Sequence, residues 1–373
     1  MARPYKLRFS LDVVFADGGY DTVYGLQSIT QVLFSDLLGN HRIGLSTNLV
    51  LDLRNADYVL GYEYRPRRVD YRVEGYHLAR QLVSESDRTV YRYRNYGLVA
   101  GARYPLDKFR RVDAEVGLVG VSLSDLSDIG ERARTRAFAV PRLTYTDDRT
   151  VPGPLGPQSG TRWAASLAGA PGPDAFFATA LADGRAYRAF GPGYALAVRG
   201  SAGLSLGRDP QRFYAAGVQN WVNPDLGSLP VQGPDDFIFA TPVLPVRGFG
   251  YNEAAGDRFA LVNVEARVPL VAALLPGPLP FLPLYDVQTV AFVDAGVIAQ
   301  GGVDLWRTVA EDDDGDPDTP DVERRVLDDV LLGTGLGLRT LVLGYPVRVD
   351  WGWPFDGRGF GDPNLYFSVG LDF

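Results

Sequence analysis

Residues 246–270 read VRGFGYNEAAGDRFALVNVEARVPL, and the fold turns on which face of their second half meets water. Ala260, Val262, Val264, Ala266 and Val268 fall on one side of an extended chain, and Asn263, Glu265 and Arg267 on the other. Period two marks a β-strand. A soluble sandwich would bury the apolar side in a dry core and leave the polar side outside. A membrane barrel does the reverse, with the apolar band against lipid and the polar face lining the lumen. Alternation alone fits both. The strand is preceded by Arg247, set beside Gly248 and Gly250 in a loop rich in Pro and Gly, and the purpose of that arginine is the second question.

The same rhythm runs along the whole chain, while helical periodicity is almost absent. Strands are predicted near 5–16, 25–35, 40–53, 56–66, 67–80, 89–104, 107–122, 134–148, 160–170, 175–188, 192–206, 258–270, 287–300, 332–342, 345–355 and 365–373, sixteen in all. Every second connection is tight, as at LLGN (37–40), RPRR (65–68) and YPLDKF (104–109). Those between include long polar stretches at 122–134, 207–257 and 301–331. Short turns on one side and long loops on the other are the habit of an outer-membrane barrel, and an even strand number puts both termini on the periplasmic side. No internal repeat or linker divides residues 1–373, so one barrel domain is expected.

Composition agrees. Of 373 residues, 46% are hydrophobic and 12% aromatic, with 43 Gly and 26 Pro, a mixture that suits many strands joined by turns. The net charge of -8 argues against a nucleic-acid partner, and Lys6 and Lys108 are the only lysines among 37 basic residues. With no cysteine there is no disulfide, thiolate metal site or cysteine nucleophile. His41 and His77, the only histidines, lie in ordinary turn and strand contexts and read as structural, so no catalytic centre, metal site or cofactor is expected. In the acidic run EDDDGDPDTPD (311–321), aligning Gly315 with the sixth position of a calcium loop puts Ala310 at the first position and Asp321 at the twelfth. The template therefore fails, and the run reads as a solvated loop. MARPYKLRFSLDVVF lacks the apolar core of a signal peptide, so Met1 is expected to open a fragment or mature domain. The most apolar run, VPLVAALLPGPLPFLPLY (268–285), carries five prolines and cannot be a continuous helix.

The last stretch of the chain carries an ordered series: VRGF (246–249), NVEARVPL (263–270), FVDAG (292–296), GTGLGLR (333–339), PVRVDWGWP (346–354) and a final FSVGLDF. In this order the series resembles the bacterial surface-antigen barrel of the BamA superfamily, which includes the TpsB transporters of two-partner secretion. TDDRTVPGPLGPQSGTRW (146–163) is similar to that family's turn between the eighth and ninth strands. The N-terminal 130 residues share only the strand rhythm and look more like barrels found behind TolB-like propellers.

The resemblance implies a sixteen-stranded antiparallel barrel with a long loop folded into its lumen, the arginine of the VRGF tip touching the inner wall. The residues support this independently. Asp294 and Glu265 are carboxylates on the lumenal side of neighbouring strands; Gly333, Gly335 and Gly337 form a side-chain-free stripe where another backbone can approach; Gly248 frees the tip beside Phe249. The arginine fork suits a carboxylate as lysine would not. Phe367, Gly370 and Phe373 mark a final alternating strand ending on an aromatic, expected to pair with the first strand at a weak seam. The family's role implies outer-membrane lipids and unfolded outer-membrane or secreted proteins as partners, and no catalysis. Its periplasmic POTRA domains are missing from the chain. The rival reading is an anchor or passive channel for periplasmic domains encoded upstream. An outer-membrane phospholipase would need a positioned Ser-His pair, which neither histidine offers.

Overall fold

The computed structural model describes residues 5–21, 25–48, 57–83, 90–126, 133–222, 240–270, 287–311, 322–342 and 344–370. Its strands are β1 (Phe9–Asp21), β2 (Gly25–Asp36), β3 (His41–Asn48), β4 (Asp57–Tyr64), β5 (Asp70–Val83), β6 (Val90–Pro105), β7 (Arg110–Asp125), β8 (Arg134–Asp148), β9 (Gly160–Pro171), β10 (Phe176–Gly191), β11 (Tyr194–Gly207), β12 (Arg212–Ala215), β13 (Ala240–Leu244), β14 (Ala254–Gly256), β15 (Arg258–Pro269), β16 (Gln288–Ala299), β17 (Trp306–Glu311), β18 (Val322–Leu327), β19 (Val330–Val342), β20 (Tyr345–Pro354) and β21 (Asn364–Val369). Among the described residues, sixteen of them form one antiparallel sheet. The sheet meanders from β1 to β11, then continues through β15, β16, β19, β20 and β21. The two skipped segments carry small sheets of their own, β13-β12-β14 and the hairpin β17-β18.

Each of the sixteen strands falls on a segment that alternates in the sequence. The tight turns close by local chemistry. Between β6 and β7, one Asp107 carboxylate oxygen accepts the amides of Phe109 and Arg110 at 2.8 Å each, and the other accepts Arg110 Nε at 2.7 Å. Such a side-chain cap mimics a backbone turn. Asp36 does the same between β2 and β3, accepting the His41 amide at 2.8 Å. Tight and long connections do not alternate uniformly, since β1 and β2 are joined by only three residues, 22–24.

The two faces answer the opening question. Along β15, Ala260, Val262 and Ala266 are exposed while Asn263, Glu265 and Arg267 are buried. Val262 on β15 is 47% and Leu336 on β19 is 54% exposed, whereas Glu265 is 1% and Asp294 is 0% exposed. The apolar row continues outward on other strands, with Leu60, Leu98, Leu118, Leu143, Leu167, Trp351 and Leu365 all exposed. Single exposed apolar residues are ordinary on soluble proteins, but a continuous apolar face with a buried polar one behind it is the membrane pattern. Aromatic residues punctuate the outside. His41 stacks on Tyr64 and takes a 2.7 Å hydrogen bond with Tyr62, His77 stacks between Tyr58 and Tyr96, and Arg68 lies over Tyr104.

The first strand was expected to pair with the last; among the described residues β1 is hydrogen-bonded to β2 and β21 to β20, with no pairing between β1 and β21. One expectation is corrected. The last strand was expected to run to Phe373. It ends at Val369, because Gly370 turns into the left-handed region at φ 120°, and Phe373 lies outside the described residues. Residues 312–321 of the acidic run lie outside them too.

Candidate functional site: a loop arginine clamped on the inner face

Between β11 and β15, the described residues 208–222 and 240–257 fold back over the polar face of the sheet. The small sheet β13-β12-β14 gives the loop a body, and an apolar cluster fastens it to the wall. Phe213, Ala215, Ala216 and Val246 of the loop pack with Phe259 and Leu261 of β15, Ile298 of β16 and Leu331 of β19. The inner face is thus apolar towards one end, beside the polar row that alternation reveals.

Beyond that cluster the tip descends onto charge. Arg247 is 1% exposed. Its Nε and Nη2 donate to the two oxygens of Asp294 at 2.7 and 2.8 Å, its backbone N–H donates to Asp294 Oδ2 at 3.0 Å, and Nη1 donates to Glu265 Oε1 at 2.6 Å. The guanidinium also lies over the Phe292 ring, 3.6 Å from its centroid. Only arginine offers a two-pronged fork and a flat cationic face together. Burial alone would lower the Arg247 pKa, but Asp294 and then Glu265 outweigh it and raise it well above its ordinary value, so the group stays charged.

The carboxylates are shared in turn. Glu265 Oε2 accepts from Arg267 Nε and Nη2 at 3.0 and 2.9 Å, Asp350 accepts from Arg339 at 2.6 Å, and Arg339 reaches Glu265 at 3.4 Å. Asn263 donates to Asp294 at 2.9 Å and to the Pro245 carbonyl at 2.9 Å, tying wall to loop. Three acids thus face three arginines, and the cluster is close to neutral. Such balance is what lets charges be buried. The Arg267 guanidinium also reaches Pro157 O at 3.2 Å, in the turn between β8 and β9. Among the described residues no group of three or more His, Asp or Glu could hold a metal ion.

The glycines divide their labour differently from the expected common stripe. Only Gly333 receives the loop backbone: a Cβ there would sit 1.8 Å from the Arg247 carbonyl oxygen. Gly335 makes room for the Phe292 ring and the Trp351 carbonyl, and Gly337 for the Asp350–Arg339 pair. The second backbone seat is Gly352 on β20, where a Cβ would meet Gly248 N at 2.6 Å. Gly248 itself adopts φ 110° and passes close to Trp353 and Pro354. Phe249 packs against the apolar cluster.

Tyr366 completes the clamp from β21. Its hydroxyl accepts from the Gly248 amide at 2.7 Å and donates to the Phe249 carbonyl at 2.8 Å, while Asn364 Nδ2 donates to the Gly248 carbonyl at 2.7 Å. Tyr366, Asn263, Asp350, Gly352 and Asn364 are site residues that sequence reasoning passed over. Their signal is phase. Each lies on the inward side of its strand, but phase does not say which inward residue sits below the tip. Phe367 points the other way and is exposed.

An antiparallel sheet with apolar residues on its outer face, and a loop arginine clamped to carboxylates on its inner face, is the arrangement expected of a membrane β-protein with an inserted loop. The chain belongs to the Omp85 superfamily, whose domain pattern matches residues 7–373. Among curated proteins none matches the chain. Among solved structures it is similar to BamA from Haemophilus ducreyi lacking POTRA domains 1–3, with TM-score 0.63 and 14% identity, covering 98% of this chain and 75% of that one. It is also similar to CdiB from Escherichia coli, with TM-score 0.52 and 13% identity, covering 100% of this chain and 64% of that one. At these identities the likeness speaks to the fold.

Proposed function

We propose that the chain closes into an outer-membrane barrel with both termini periplasmic, and that it inserts proteins into the outer membrane or moves them across it. It does so without covalent chemistry. The observation that carries the reading is the fully buried Arg247 clamp, which holds a long loop against the inner face of the sheet by several charge-assisted bonds. Similarity to BamA and CdiB supports the same role. On this reading the apolar outer face meets lipid, Arg247, Asp294 and Glu265 position the loop, and the β1–β21 seam receives client strands by β-augmentation.

The test is to reconstitute the full-length gene product in liposomes and add an unfolded outer-membrane protein. Protease-protected, folded client should accumulate faster than in empty liposomes, and Arg247→Ala should remove most of the gain. Ion conductance with no gain in client folding would favour the passive-channel reading. Neither activity would leave the barrel as an anchor for periplasmic domains.

A further inference from the structure

The last strand has two edges. One pairs with β20, from Val347↔Val369 to Gly352↔Asn364, and the Gly370 amide continues that side by donating to the Pro346 carbonyl at 2.8 Å. The other edge faces the seam, and it is occupied by the protein's own loop. The Val222 amide donates to the Phe367 carbonyl at 2.7 Å, the Val369 amide donates to the Asn220 carbonyl at 3.3 Å, and Trp221 stands opposite Ser368 in an antiparallel bridge. Asn220–Val222 therefore forms a short antiparallel partner for β21.

The segment is held from behind. Arg348 Nη2 donates to the Gln219 carbonyl at 2.7 Å. The Trp221 ring meets the Tyr366 ring edge-on at 4.7 Å, in a buried cluster with Val218 and Tyr251. Among the described residues, the three non-glycine residues with positive φ, Ala216, Asn220 and Asn252, all lie in this loop. That conformation is unfavourable for most side chains and less so for asparagine.

We propose that Asn220–Val222 is a surrogate strand, a latch that holds the strand-accepting edge of β21 against its rightful neighbour, β1 of the same chain. The reasoning is one of hydrogen-bond capacity. The Val369 N–H carries one hydrogen, and a strand placed on this edge would occupy the space of residues 220–222. Closure by β1 at Phe367 and Val369 and capping by the loop therefore exclude each other. Because Tyr366 grips the loop tip with its hydroxyl and Trp221 with its ring, withdrawal of the tip and release of the edge are mechanically linked. This inference rests on the reading that β1 and β21 meet at a seam.

The experiment uses the absence of cysteine from the sequence. Trp221 and Ser368 are a non-hydrogen-bonded pair, the closer of the two antiparallel pair types, so Trp221→Cys with Ser368→Cys should oxidise to an intrachain disulfide in membranes. A second set places one cysteine at each position from Phe9 to Val14 in turn, together with Phe367→Cys, and reads seam closure. Seam crosslinking should be low in the parent and rise several-fold in Val222→Pro, which deletes the amide that donates to Phe367. No Trp221–Ser368 disulfide, with seam crosslinks abundant in the parent, overturns the latch. Equal seam crosslinking with and without Val222→Pro overturns the competition. A latch disulfide with no seam crosslink in either background overturns the closure reading instead, and leaves the segment as a fixed edge cover.

Discussion

Replacing Gly333 with alanine should lift the loop tip off the wall. The added methyl would stand 1.8 Å from the Arg247 carbonyl oxygen, where no contact shorter than 3.0 Å is tolerated. The obstacle is backbone, so no rotamer change relieves it. Either the loop withdraws by more than an ångström or β19 moves away, and β19 is held on both sides by β16 and β20. Such a shift takes the 2.7 and 2.8 Å bonds from Arg247 to Asp294 outside hydrogen-bonding range. Glu265 would keep Arg267 and Arg339, but Asp294 would keep only Asn263. Breaking a buried pair on one side costs about 3–5 kcal/mol. At about 1.4 kcal/mol per factor of ten, that is a change of roughly a hundredfold or more in the ratio of unseated to seated loop. The assay is maleimide labelling of Val218→Cys, a position 0% exposed in the loop. Labelling should be slow in the otherwise native protein and faster by about that factor with Gly333→Ala. Gly302→Ala is the control, since a methyl there meets nothing within 4 Å. If Gly333→Ala labels no faster than the control, the tip is not seated on Gly333 and the clamp as described is wrong.

Arg247→Lys should behave more like Arg247→Ala than like the native protein in the same labelling assay, because lysine cannot serve Asp294 through two prongs while lying flat on Phe292; a lysine variant that labels at the native rate would refute this. Asp107 is held at a pKa of about 2, first by the Phe109 and Arg110 amides and then by the Arg110 side chain, against 3.8 ordinarily. A depressed carboxylate stabilises above its unfolded pKa and loses that contribution as pH falls through its folded one, so Asp107→Ala should lower Tm in detergent at pH 7 and converge with the parent near the folded value; a gap that widens on acidification would show the sign is wrong. Residues 301–331, including the β17–β18 hairpin, should be open to protease or antibody on intact cells, whereas access at 104–109 instead would mean the topology is inverted.

The strands and their phases were legible in the sequence because side-chain direction in a strand is local, repeating every two residues whatever the strand packs against. Alternation placed Glu265 on one face of its strand and Val262 on the other, and Asp294 with Glu265. It could not say which face was buried, because the same pattern serves a dry sandwich core and a lipid-facing wall; only the structure, with Glu265 and Asp294 buried and Val262 exposed, decides that. Arg247 and its carboxylates could be matched by charge and the glycines by bareness, which are properties of residue types. The particular seating could not be read: that Gly333 and Gly352 receive the loop while Gly335 and Gly337 house side chains depends on sheet register and on where the loop lands. The same holds for the far edge of β21. Backbone amides and carbonyls are the same in every residue but proline, so no sequence pattern marks Asn220–Val222 as the partner of Phe367 and Val369. That pairing joins residues almost 150 positions apart and exists only because the loop folds back over the inner face of the sheet.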